Sequence, residues 1–279
     1  MKIKILGSGG GEGFPAMFCS CEHCEMARKA GGKSIRSLSQ TIINDDLLID
    51  FPNDTGWHCG RFGVNLGQLQ NVLITHAHSD HFVSLDLRMR VAPFAHKIKY
   101  ENICFYGPKN LQEIYLGTIN AYGETPVTKN VQFISMNDQE TYSVGDYSVT
   151  SLKANHAPNL GSLNYIIDDG KKSVLYLVDS GYPTEETLAF LETFKKPFDC
   201  VVMDATMGVA AKGAYIYHMG FEENKLLKEE LIKRGICNEN TRFVITHITH
   251  NKAETHDVIE RIFDGTGIDV AYDGYEIEL

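Results

Sequence analysis

The segment Thr75-His76-Ala77-His78-Ser79-Asp80-His81 crowds three imidazoles and a carboxylate into the six positions from His76 to His81. Imidazole is a borderline ligand and carboxylate a hard one, so the mixture suits Zn²⁺, Mn²⁺ or Fe, whereas thiolates would point to Zn²⁺ or iron–sulfur. His76 and His78, two apart on an extended segment, face the same way and are suited to one metal. Asp80 and His81 lie a turn further on, where the chain is expected to start a helix, and are suited to a second. The motif therefore reads as half of a two-metal hydrolytic site.

The other half is sought at the ends of later apolar runs. His156 follows 147–152, Asp179 ends 173–178 and His247 ends 243–246. Phe18-Cys19-Ser20-Cys21-Glu22-His23-Cys24 is a second cluster, C-x-C-x₂-C. Three thiolates lack one ligand for a closed tetrahedral Zn²⁺ site. His250, three residues after His247, can face away from the first cluster and is the candidate fourth ligand; His23 lies inside the cysteine loop, where its backbone is committed. His218 follows a Gly/Ala-rich loop, precedes a helix, and is the candidate general acid. No Gly-x-Ser-x-Gly elbow offers a serine nucleophile, so water is the expected nucleophile.

Strand-like runs at 3–6, 41–43, 47–50, 72–75, 103–106, 131–135, 147–152, 163–167, 173–178, 199–203, 243–246 and 275–277 must position these groups. Helix-like segments fall at 22–30, 82–91, 109–120, 185–195, 221–234 and 252–263. Asn44-Asp45-Asp46, Asp168-Asp169-Gly170 and Asp273-Gly274 read as tight turns between strand pairs, and Thr184 as a helix cap followed by acids. Twelve strands and six helices predict two sheets packed face to face with helices outside. No linker divides the chain, so one domain over 1–279 is expected, with a Cys-rich zinc loop near 14–30. The glycine run after residue 6 reads as a structural turn: Pro15 interrupts it and no ribose-binding acid follows at the dinucleotide spacing.

A net charge of −10, from 26 basic and 36 acidic residues, opposes a long nucleic-acid partner and leaves small anions open. No apolar run reaches the ~20 residues of a membrane span. Seven cysteines, an odd number with no export signal, point to a reducing, cytoplasmic setting. The segment Phe51 to Gly60, with the single Trp57 beside His58, is expected to form a wall of the pocket; 110–130 has no assigned role.

The order Asp50, His76-x-His78-x-Asp80-His81, His156, Asp179, His247 resembles the metallo-β-lactamase-fold hydrolases over nearly the whole chain. The resemblance implies an α/β (α+β) fold, a four-layer αββα sandwich with metals at one edge between the sheets. It implies that His76, His78 and His156 hold one metal, that Asp80, His81 and His247 hold the other, and that Asp179 bridges them while Asp50 orients the histidine loop. The run Gly7-Ser8-Gly9-Gly10-Gly11-Glu12-Gly13-Phe14-Pro15-Ala16, the cysteine triad and Thr246-His247-Ile248-Thr249-His250 together resemble the PhnP branch. Proteins of that branch are cyclic-phosphate phosphodiesterases with a structural zinc on three Cys and one His, and carry a proton-donating His in the loop matching His218.

The expectation is a hydrolase of small or cyclic phosphodiesters acting through a hydroxide that bridges two divalent transition metals (Zn or Mn, with Fe a third choice), plus one structural zinc. Asp80 and His218 are its catalytic groups. A small phosphorylated substrate is the expected partner, with room for a homodimer. Rival readings are hydrolysis of a lactone, a thioester or a nucleic-acid phosphodiester, and a PqqB-like metal-binding protein of cofactor synthesis.

Overall fold

The computed structural model describes residues 1–124, 130–251 and 253–279. The start of the 252–263 segment and residues 125–129 of the 110–130 segment lie outside them.

Along the chain run β1 (Lys2–Gly7), α1 (Glu22–Ala30), β2 (Gln40–Ile43), β3 (Leu47–Ile49), α2 (Thr55–Phe62), β4 (Asn71–Leu73), β5 (Ile103–Gly107), α3 (Leu111–Ala121), β6 (Val131–Ser135), β7 (Thr141–Val144) and β8 (Tyr147–Lys153). Then follow β9 (Leu163–Asp168), β10 (Ser173–Leu177), α4 (Glu185–Leu191), β11 (Cys200–Asp204), α5 (Phe221–Lys233), β12 (Arg242–Thr246), α6 (His256–Phe263), β13 (Ile268–Val270) and β14 (Tyr275–Glu278). The strands form two seven-stranded sheets, ordered β14-β1-β2-β3-β4-β5-β6 and β13-β12-β11-β10-β9-β8-β7. Each is built alike. Antiparallel pairs (β1 with β2, β2 with β3; β7 with β8, β8 with β9, β9 with β10) give way to parallel pairs (β3 to β6; β10 to β13).

Alternation along the strands makes the layers. On β10, Val174 and Tyr176 enter a cluster with Ile3, Ile49 and Leu73 of the other sheet, while Leu175 and Leu177 pack outward with Leu188, Leu227 and Ile259. Buried on both faces, such a strand is apolar throughout. The outer face of the first sheet packs Ile42, Val72 and Phe105 against Leu111, Tyr115 and Ile119 of α3. The result is the expected αββα sandwich.

Four expectations need correction. The described residues hold two more strands than expected, because β7 is a polar, half-exposed edge and β13 has three residues, too few for a periodic signal. The helix expected from Asp80 is a 3-10 segment at Ser84–Arg90, since His81 and Phe82 are first tied back to the His78 carbonyl. Helix α2 forms where the sequence gives no helical signal, because Gly56 and Gly60 weaken its intrinsic propensity. The turn at Asp273-Gly274 joins no pair: it carries the chain from β13 in one sheet to β14 in the other. Thr184 does cap α4, its hydroxyl accepting from Thr187 N at 3.2 Å.

Candidate metal centres

The candidate ligands leave the sheets at one edge, where strand ends become loops. Asp50, Asp179 and His247 sit just beyond β3, β10 and β12 in left-handed backbone, with φ of 66°, 54° and 61°. Asp and His tolerate that region better than most residues, and such strain, costing about 1–3 kcal/mol each, gathers at functional sites. The kink turns the chain out of the sheet and leaves the side chain at its rim.

Among the described residues three overlapping donor groups result, two of them the expected sets and the third made of Asp179, Asp204, His218 and His247. His76 Nε2 lies 2.8 Å from His78 Nδ1, and His156 Nε2 3.3 Å from the same atom. Asp179 Oδ2 stands 3.1 Å from His76 Nε2 and 3.4 Å from His156 Nε2. In the second group His81 Nε2 is 3.2 Å from Asp80 Oδ2, 3.2 Å from His247 Nε2 and 3.1 Å from Asp179 Oδ2. Asp179 therefore belongs to both, and the cluster fits a dinuclear metal site.

The donor chemistry supports that fit. His81 Nδ1 donates to Asp50 Oδ2 at 2.7 Å, and Asp50 Oδ1 accepts from Thr75 N at 2.8 Å, so Asp50 orients the loop as expected. The other nitrogen of His81, fully buried, then faces an imidazole nitrogen and two carboxylates, an arrangement that a cation resolves and bare lone pairs do not. Burial would hold His81 neutral, yet Asp80 and Asp50 drive its pKa well above the usual range. Burial likewise opposes ionisation of Asp80, but His81 and His247 pull its carboxyl below the usual range. Both directions express the same demand for positive charge between these residues.

His218 adjoins the pair. Its Nδ1 lies 3.0 Å from Asp179 Oδ1 and hydrogen-bonds Asp204 Oδ2 at 3.2 Å. Burial would lower this imidazole, but Asp204 and Asp179 prevail and raise it to about 10. Asp204, fully buried, was not singled out in the sequence although it stands directly after an expected strand, the same signal that drew attention to Asp179. It accepts from Met219 N at 3.0 Å and from Thr206 Oγ1 at 2.8 Å, and Thr206 Oγ1 lies 2.7 Å from His247 Nδ1. One carboxylate thereby fixes both a candidate ligand and the candidate acid.

The glycine run serves as a structural turn. Gly11 N donates to Asp80 Oδ2 at 3.0 Å, while Ile248 N donates to Ser8 O at 2.9 Å, pinning the loop beside His247.

Cys19, Cys21, Cys24 and His250 converge in a separate group able to hold a metal. His250 Nδ1 is 3.4 Å from Cys19 Sγ and 3.5 Å from Cys21 Sγ, and its Nε2 meets Glu12 Oε1 at 2.7 Å, a carboxylate backing a histidine as metal sites favour. The His250 contact lowers the Cys21 thiol to about 6, toward the thiolate a metal binds, whereas burial raises Cys24 to about 11. The two groups share one cavity of about 790 Å³, lined by His78, Asp80, Tyr215 and His218 on one side and by Cys21, His23 and His250 on another.

The 51–70 segment is not a wall of that cavity. His58 is buried elsewhere, its ring 2.7 Å from both Ser37 Oγ and Gln40 Oε1, and Trp57 lines a groove with Lys33 and Tyr272. The reason is α2: its turn aims His58 at β2 rather than at the ligand edge.

A sequence profile for the beta-lactamase superfamily domain matches residues 58–265. Ribonuclease Z of Staphylococcus epidermidis is 26% identical over 130 residues, which are 46% of this chain and 42% of that protein, so the match spans less than half of the curated relative's length. A diphosphatase from the PhnP family superposes with a TM-score of 0.75 at 19% identity, covering 100% of this chain and 97% of that one. Zinc-bound PqqB from Methylobacterium extorquens superposes with a TM-score of 0.70 at 18% identity, covering 100% of both chains. At those identities the structural likeness speaks for the fold alone.

Proposed function

The chain belongs to the metallo-β-lactamase superfamily and is built as a metal hydrolase of that fold, and from that premise we propose that it cleaves small or cyclic phosphodiesters. The observation that carries this reading is the double use of Asp179: Oδ2 is common to both donor groups, while Oδ1 lies 3.0 Å from His218. A proton donor thus stands one carboxylate away from where a reacting phosphorus would be held.

In this reading His76, His78 and His156 would hold one ion and Asp80, His81 and His247 the other, and Asp179 would serve both groups. Two divalent transition metals, Zn, Mn or Fe, would there activate water and offset charge on the phosphoryl oxygens. Asp80, steadied by Gly11 N, orients the attacking water. His218, held at Nδ1 by Asp204, lines the cavity and would supply the leaving oxygen with a proton. Cys19, Cys21, Cys24 and His250 would hold a structural zinc. An alkoxide needs protonation more than a thiolate does, which favours phosphate esters over thioesters. The net charge of −10 favours a small phosphorylated substrate over a long nucleic acid. Among the described residues no helix is long and apolar enough to cross a membrane.

The test pairs metal analysis with turnover of bis(4-nitrophenyl) phosphate and of a simple lactone. Metal in both groups and selective cleavage of the phosphodiester are expected. A faster lactone reaction would replace the proposed substrate class, and a protein that takes up no metal at the histidine cluster would end the hydrolytic reading.

A further inference from the structure

The cavity has one wall that the hydrolytic steps leave unused. Tyr215 lies nearly parallel to His218, with ring centroids 5.5 Å apart and planes at 20°. His218 in turn lies parallel to His247, at 6.1 Å and 16°. The three rings form a stack that runs from a candidate metal ligand, through the proton donor, to a phenol ring that lines the cavity and is 47% exposed. Tyr217 meets Tyr215 edge-on at 5.7 Å.

The backbone carrying this ring is held in place. Asn155 Nδ2 donates to Ile216 O at 3.0 Å and to Tyr182 O at 3.3 Å. Gly181 allows the approach, since a Cβ there would lie 1.9 Å from Ile216 O. Tyr215 is therefore presented by a clasped loop, with one face on His218 and much of its surface open.

We infer that Tyr215 is a specificity-determining platform for a planar aromatic group carried on the leaving oxygen of the phosphodiester. The inference rests on the phosphodiesterase reading. In that reaction a water oxygen bonds to phosphorus, the ester P–O bond breaks, and the leaving oxygen takes a proton from His218, which recovers one from the water. The departing group must lie against His218, and the next ring outward is Tyr215. Offset or edge-on contact between aromatic rings adds affinity beyond area burial, as does stacking of a base on an aromatic side chain. A saturated alkyl group of similar acidity gains neither.

Metal-loaded wild type, Tyr215→Leu and Tyr215→Phe are compared on dibenzyl phosphate and diethyl phosphate, whose leaving alcohols both need a proton but differ in the ring. The benzyl-to-ethyl ratio of kcat/KM is expected to fall about tenfold in Tyr215→Leu and to stay near wild type in Tyr215→Phe. A ratio unchanged in the leucine variant overturns the platform; so does a ratio lost equally in the phenylalanine variant, which would assign the effect to the hydroxyl. Failure of metal-loaded wild type to cleave either ester overturns the phosphodiesterase reading itself, so the two failures are told apart.

Discussion

Gly10 lies against the His247 imidazole so closely that a Cβ on residue 10 would stand 2.5 Å from His247 Cε1. Real Cβ contacts do not reach that distance, so either the ring or the loop must move. The loop is itself tied to Asp80 through Gly11 N, so one added methyl disturbs two candidate ligands at once.

Gly10→Ala should therefore lose occupancy in the Asp80, His81, His247 group while the fold persists. Metal affinity is expected to fall about 10–100-fold, the usual effect of displacing a ligand's support. Metal titration with circular dichroism checks this; wild-type affinity in the variant would mean that the loop yields freely.

Asp204→Asn keeps the size of the side chain and removes the charge facing His218 and His247. Turnover should drop about 10–100-fold, and the alkaline limb of the kcat profile should move to lower pH because His218 loses a partner that holds its proton. An unshifted profile would take Asp204 out of the orientation of His218.

His218→Ala should lower turnover of an alkyl phosphodiester about 100-fold or more while metal content stays as in wild type. A good leaving group such as 4-nitrophenolate needs little protonation, so its ester should suffer less. Equal losses on both esters would argue against a proton-donor role.

Cys21→Ser should reduce bound zinc by one equivalent and lower the melting temperature, because a structural zinc contributes its binding energy to folding. Chelator treatment of wild type should reproduce the destabilisation. A variant with full zinc content would show that Cys19, Cys24 and His250 suffice or that the group is not a zinc site.

His58 supplies a pH dependence remote from the candidate metal centres. Burial holds its imidazole below the ordinary value, so the folded protein keeps it neutral where the unfolded chain, near about 6.5, takes up a proton. The unfolded state then binds more protons, and stability falls as pH drops through about 6.5 toward the folded value. His58→Gln, which retains polar contact with Ser37 and Gln40, should show a shallower loss of denaturation midpoint between about pH 7 and about pH 5.5. Identical slopes would mean that His58 does not titrate on unfolding.

The histidine motif is legible in sequence because its donors lie within six positions, where local geometry alone decides which atoms face together. His156, Asp179 and His247 are legible for a related reason: each follows an apolar run whose period marks a strand, and strand ends in such sheets carry sites. Asp204 carries the same signal, but only the packing of the 206–219 loop makes it the partner of His218 and the brace of His247. Tyr215 gives no local sign at all, because its stacking on His218 depends on Asn155 and Gly181, far away in the chain. The direction of His58 is not legible locally, because α2 forms despite its glycines and is held by contacts such as Asp54 with Leu38 N. The sequence by itself thus determined the sandwich and the kinds of atom gathered at its edge, since periodicity and spacing are local quantities. Tertiary structure alone decided which carboxylate braces both His218 and His247, which aromatic closes the stack, and which face of 51–70 turns inward, because those follow from contacts between residues distant along the chain.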